Sequence, residues 1–95
     1  MRSPEDILEE SGYDIDWLNE AGTILFRDPD YSSAIVGVSY DDRVIYDYEL
    51  MIEYLVANDG MTEEDAADFI SYDTLRSLAY IGEPLKPIVM YPLFL

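Results

Sequence analysis

The sequence predicts an α+β domain: a small antiparallel sheet, built from a hairpin over residues 33–46 and a strand over 88–91, packed against three to four short helices. Three observations predict it. Residues 33–40 and 43–46 are rich in Val, Ile and Tyr and flank Asp41 and Asp42, the pattern of two strands around a tight turn. Tyr48, Met51, Ile52 and Leu55 fall at i, i+3, i+4 and i+7, one face of a helix. Capping residues and glycines punctuate the other helical runs, at Ser3, Gly12, Gly22, Gly60, Thr62 and Gly82. A chain of 95 residues makes one domain, 1–95, and 49% hydrophobic residues suffice for a core.

In chain order, Ser3, Pro4, Glu5 and Asp6 open a helix. Ser is the N-cap, Pro sits at N1, and two acids lie where the helix dipole favours negative charge. Ser3 and Asp6 have the spacing of a capping box. Ile7 and Leu8 supply the apolar side, and Gly12 ends the helix. Asp14 or Asp16 caps a second short helix carrying Ile15, Trp17 and Leu18, closed by Gly22. Trp17 is expected to anchor this segment to the core. Residues 23–26 have strand composition, and residues 27–30, with Pro29 between Asp28 and Asp30, form a turn. The hairpin follows, and Gly37 in mid-strand predicts a bulge or a close neighbour.

Asp47 caps the helix over 48–58. Leu50, Tyr54 and Val56 extend its apolar surface beyond one face, so it is expected at the centre of the fold. Thr62 caps the next helix, with Ala66, Phe69 and Ile70 inward. A turn at Ser71 and Tyr72 separates it from a third, which starts at Asp73 and turns Leu75, Leu78 and Ala79 inward. Residues 88–91 form the last strand, at the sheet edge, and Pro92 ends it. The apolar Leu93, Phe94 and Leu95 are expected to dock on the core or on a second copy.

Charge is the outlier: 21 acidic residues against five basic ones, a net charge of −16. Self-repulsion at this density lowers stability. Binding nucleic acid or an anionic bilayer requires Lys and Arg, so both are excluded as direct partners. The first residues show no signal-peptide pattern, and no apolar run approaches the ~20 residues of a membrane span, so a cytoplasmic location is expected. The partners that remain are cationic.

Several chemistries fail for want of residues. There is no cysteine and no histidine, which removes disulfides, thiolate sites and the commonest general base and metal ligand. Placing Gly60 at the sixth position of an EF-hand loop puts Leu55 and Ala57 where acids are needed. The pairs Asp14/Asp16 and Asp28/Asp30 have no distal Glu at the required offset. No carboxylate lies inside a long apolar run, where its pKa would rise enough for acid–base work. Residues 62–81 have the layout of a helix-turn-helix, but the would-be recognition helix carries Asp73 and a single Arg76, so DNA contact would be repulsive. The expectation is a non-enzyme with no cofactor and no metal.

The functional expectation rests on residues 47–73. They hold Asp47, Glu49, Glu53, Asp59, Glu63, Glu64, Asp65, Asp68 and Asp73 and no Lys, Arg or His. Carboxylates four residues apart on a helix lie ~6 Å apart, while a DNA strand carries a phosphate every ~3.4 Å. Two acidic helices side by side therefore approach the charge density of a duplex face. Glu49, Glu53, Asp59, Glu63, Glu64, Asp65 and Asp68 are the expected contacts for the basic groove of a nucleic-acid-binding protein. Tyrosines interleaved with acids would add cation–π contacts.

In character (small, strongly acidic, without a catalytic set) the chain resembles the phage-encoded anti-restriction and anti-CRISPR inhibitors. The segment from Asp59 through Ala66, continuing past Tyr72 and Arg76 to Tyr91, resembles the C-terminal half of small acidic proteins of bacteria and their mobile elements. The first resemblance implies inhibition of a host defence protein by DNA mimicry; the second implies a bacterial, phage or mobile-element source and no activity. The alternative is a structural or assembly protein that forms homo-oligomers, with the charge serving solubility. A Ca²⁺- or Mg²⁺-responsive module comes last.

Overall fold

The computed structural model describes residues 2–93. Four N-caps form as the sequence dictates. Ser3 Oγ accepts the Asp6 amide at 3.1 Å and Asp6 accepts the Ser3 amide at 3.3 Å, a complete capping box that starts α1 (Pro4–Glu10). Asp14 accepts the Trp17 amide at 3.2 Å and starts α2 (Ile15–Ala21), which ends at Gly22 in the left-handed conformation. Asp47 accepts the Leu50 amide at 3.1 Å and starts α3 (Tyr48–Asp59). Thr62 accepts the Asp65 amide at 3.1 Å and starts α4 (Glu63–Phe69).

The sheet has three strands in the order β1 (Ile35–Val38), β2 (Val44–Asp47), β3 (Ile88–Met90). β1 and β2 form the expected hairpin. Ile35 faces Tyr46 and Gly37 faces Ile45, so β1 carries one extra residue, the bulge that Gly37 signalled. The hairpin loop is longer than the expected Asp41–Asp42 turn. Ser39 and Arg43 close it, with Ser39 N–H donating to the Arg43 carbonyl at 2.8 Å, and Asp42 takes the left-handed conformation at φ 64°. Asp tolerates that region better than most residues, which makes a three-residue loop feasible without glycine.

The α+β class stands, but the sheet is mixed rather than antiparallel: β3 runs parallel to β2, with Tyr46 facing Val89. The chain between them passes through α3 and all the helices after it, and this crossover returns it in the original direction. Three further expectations are corrected. Residues 23–26 form no strand. Ile24 N–H donates to the Leu85 carbonyl at 3.1 Å, but Phe26 N–H goes to the Tyr46 hydroxyl at 3.2 Å, so no ladder propagates. Residues 32–34 are a 3₁₀ turn (Ser32–Ala34) rather than strand. Asp30 accepts the Ser32 amide at 3.0 Å and Tyr31 is left-handed at φ 48°, which turns the chain before β1 begins. Trp17 is no core anchor: it is 58% exposed, and its indole N–H donates to Asp42 at 3.3 Å across the hairpin loop.

No turn interrupts the chain at Ser71 and Tyr72. α4 continues through a π-helical segment (Ile70–Leu75) into α5 (Arg76–Ala79), with helical dihedrals at both joins. The spacing of the apolar row explains the widening. Ala66, Ile70 and Thr74 are all buried and four residues apart. On an α-helix such a row drifts ~40° per step. Wider i→i+5 turns rotate the row back, so Thr74 still faces the core.

α3 lies at the centre, as expected, against β2, the 3₁₀ turn and α4. Its Met51 and Leu55 share one buried cluster with Val44 and Tyr46 of β2, Ala66 of α4, Ile70 of the π-helical segment, Leu8 and Leu18 of the first two helices, and Tyr31 and Ala34. Tyr31, which follows the turn over residues 27–30, is fully buried. Among the apolar C-terminal residues, Leu93 is exposed, while Phe94 and Leu95, also expected to dock, lie outside the described residues.

Candidate functional site

Apolar periodicity turns Met51 and Leu55 of α3 and Ala66 of α4 inward, and what remains faces water. Glu49, Glu53, Asp59, Glu63, Glu64, Asp65 and Asp68 are all exposed. The two helices pack against one another. The ion pairs among the described residues are Arg2–Glu10 and Arg27–Glu5, so none of the seven is neutralised by a cation of the chain. Asp47 differs from its neighbours: it is buried and committed to capping α3.

Three of these acids, Glu49, Asp59 and Asp68, act electrostatically on two tyrosine pairs. At the start of α3, Tyr48 and Tyr91 lie with ring centroids 4.8 Å apart, tilted by 47°. Burial raises the Tyr48 pKa, and Tyr91, Glu49 and Asp68 raise it further. Glu49 from α3 and Asp68 from α4 thus flank one phenol, beside the 66% exposed Tyr91. Asp59 stands apart from them, near the second pair.

That second pair is Tyr31 and Tyr54, with centroids 5.7 Å apart. The Tyr31 hydroxyl shares a 2.6 Å hydrogen bond with Thr74 Oγ1 in the core. Burial raises its pKa, the Thr74 bond opposes this, and Asp59 and Asp73 add to it. Tyr54 is raised by burial first, then by Asp30, Asp59 and Asp28. Carboxylates from three separate segments, Asp28 and Asp30, Asp59, and Asp73, thus raise the pKa of one or both phenols. Only Asp59 was expected in a site. Asp28 and Asp30 carried the sequence signal of a turn around Pro29, and Asp73 that of a helix start.

A cleft of about 170 Å³ opens between the 26–31 segment and the π-helical turn. Phe26, Phe69, Leu78 and Ile81 form its apolar walls, with Tyr31 contributing its ring. Asp28, Asp73, Ser77 and Arg27 supply polar atoms. Arg27 is turned to α1, where its guanidinium donates to Glu5. A larger cleft of about 400 Å³ lies between the start of α1, the 3₁₀ turn and the end of α3, lined by Arg2, Ser33, Tyr54 and Asn58 and by no carboxylate.

Among the described residues, no three carboxylates gather into a set that could hold a metal ion. No described helix is long and apolar enough to cross a membrane. No protein-family model matches this chain, and comparison with curated proteins and with solved structures returns no match.

Proposed function

We propose that this chain is a non-enzymatic, acidic inhibitor of phage or mobile-element origin that works in the cytoplasm. It occupies the basic nucleic-acid-binding groove of a host defence protein, as a DNA mimic would. One observation carries the reading: the seven exposed carboxylates on α3 and α4 belong to two helices packed side by side, and among the described residues no cation pairs with them. Tyr48, whose pKa Glu49 and Asp68 help to raise, and Tyr91 against it add aromatic surface suited to arginine.

The test uses a panel of restriction and RNA-guided nucleases with basic DNA channels. At least one should lose DNA binding when the protein is added, with inhibition weakening steeply as salt rises. Reversing Glu49→Lys, Glu53→Lys, Glu64→Lys and Asp68→Lys together should abolish that inhibition. Inhibition that survives the reversal, or a panel with no inhibited member, refutes the proposal.

A second reading is self-assembly, with the charge serving solubility. It is favoured by the position of β3 at the edge of the sheet, followed by exposed Tyr91 and Leu93. Sedimentation over a range of concentrations separates a monomer from such an assembly.

A further inference from the structure

The cleft between residues 26–31 and the π-helical turn has about the volume of one large side chain. Its 170 Å³ falls well below the ~300–1,000 Å³ of small-molecule sites and equals the liquid volume of roughly six waters. Its walls are aromatic and aliphatic, through Phe26, Tyr31, Phe69 and Leu78. Two carboxylates, Asp28 and Asp73, enter its lining from different segments, and Ser77 adds a hydroxyl acceptor. The one cation there, Arg27, is already paired with Glu5 of α1.

An anionic occupant would face two carboxylates on a chain of net charge −16. A neutral apolar one would leave the two exposed carboxylates at the rim without a partner. A cation on an aliphatic stem satisfies both walls and polar rim. Arginine suits the cleft better than lysine. Its planar guanidinium stacks on aromatic faces and spreads five donors, enough to reach acceptors on both sides. Lysine concentrates its charge at one strongly hydrated point.

We propose that this cleft receives the side chain of an arginine from a basic protein partner, seated between Phe26 and Phe69 and held by Asp28 and Asp73. It rests on the reading of the chain as a ligand for a basic protein. It goes beyond that reading by naming a discrete pocket, outside the acidic faces of α3 and α4, that selects arginine.

The test is an NMR titration of the full ¹⁵N-labelled chain with N-acetylarginine methylamide, and with the citrulline analogue, its neutral near-isostere. The arginine probe should shift amides in 26–31 and 69–81 with a saturable curve. The citrulline probe should not. Asp28→Asn combined with Asp73→Asn should weaken the arginine response at least tenfold, while circular dichroism confirms an unchanged fold. Equal responses to both probes, no saturable shift, or shifts spread over the outer faces of α3 and α4 would each overturn the proposal. The reversal of Glu49, Glu53, Glu64 and Asp68 changes residues outside this cleft. A failure of DNA mimicry with the arginine titration intact, or the converse, therefore tells the two ideas apart.

Discussion

Replacing Tyr46 by Phe removes one oxygen from the centre of the core, and its effect should change with pH. At neutral pH the loss is destabilising. The Tyr46 hydroxyl accepts the Phe26 amide at 3.2 Å, and a buried N–H left without a partner costs about 1–3 kcal/mol. In alkali the balance shifts. Burial pushes the Tyr46 pKa from 10.0 to about 12; the Phe26 amide and Arg27 oppose this, and Asp30 and Glu5 reinforce it. Below pH 10 the phenol is protonated whether the chain is folded or not, and the shift has no effect. Between pH 10 and 12 the unfolded chain releases the proton and the folded chain keeps it, so stability falls as pH rises. The shift from 10.0 to about 12 is two units; at about 1.36 kcal/mol each, the native chain loses about 2.7 kcal/mol that the Tyr46→Phe variant does not. The two stability curves should therefore converge above pH 10 and meet near pH 12. Urea unfolding followed by circular dichroism at 222 nm, at fixed ionic strength, measures both. Taking the difference cancels the common effect of the other tyrosines and of the growing net charge. A gap that stays constant from pH 9 to 12 would refute the assignment of Tyr46 as a buried, protonated phenol.

Two further outcomes follow from the backbone and the charge. Gly60 ends α3 at φ 68° with open space where a Cβ would go, so Gly60→Ala should cost about 1–2 kcal/mol through backbone strain alone, read by urea unfolding. Sodium chloride raised from 0.01 to 0.15 M shortens the screening length from ~30 Å to ~8 Å. That is from about the whole 37 × 30 × 28 Å molecule to near neighbours only. The melting temperature should climb by several degrees, since ~1 kcal/mol corresponds to ~4–8 °C at this size. A melting temperature indifferent to salt would mean that the net charge of −16 does not strain the fold.

The helix starts were legible because capping is chemistry within four residues. Ser3, Asp14, Asp47 and Thr62 each bond an amide three positions on, and nothing distant intervenes. Gly37 likewise marked its bulge. What escaped depends on partners far along the chain. Residues 23–26 have strand composition, but the Phe26 amide is claimed by a phenol 20 residues away. The direction of β3 is set by the path through the intervening helices. Its three residues, all half-buried, carry no alternation from which to read it. Tyr31 carried no signal of its own, and its hydroxyl finds its partner in Thr74, 43 residues on. The π-helical turn was hidden because a four-residue repeat through Ala66, Ile70 and Thr74 looks the same on either side of an imagined break.

The site divides along the same line. The outward acids of α3 and α4 were predictable, since a carboxylate on a packed helix faces water unless it caps. The meeting of Asp28 and Asp73 at one cleft was not, because two separate segments build it. Under the proposed function the two groups would have different physical roles. Exposed charge on a broad face acts at a distance, raising the rate of encounter with any basic surface and fading with salt. It selects weakly, because a carboxylate in water exchanges one cation for another at little cost. A cleft with apolar walls is screened less, and a charge seated there is matched by position as well as by sign. Salt should therefore slow the arrival of a basic partner more than it speeds its departure. Asp73→Asn should do the reverse, leaving the association rate nearly unchanged and shortening the lifetime of the complex.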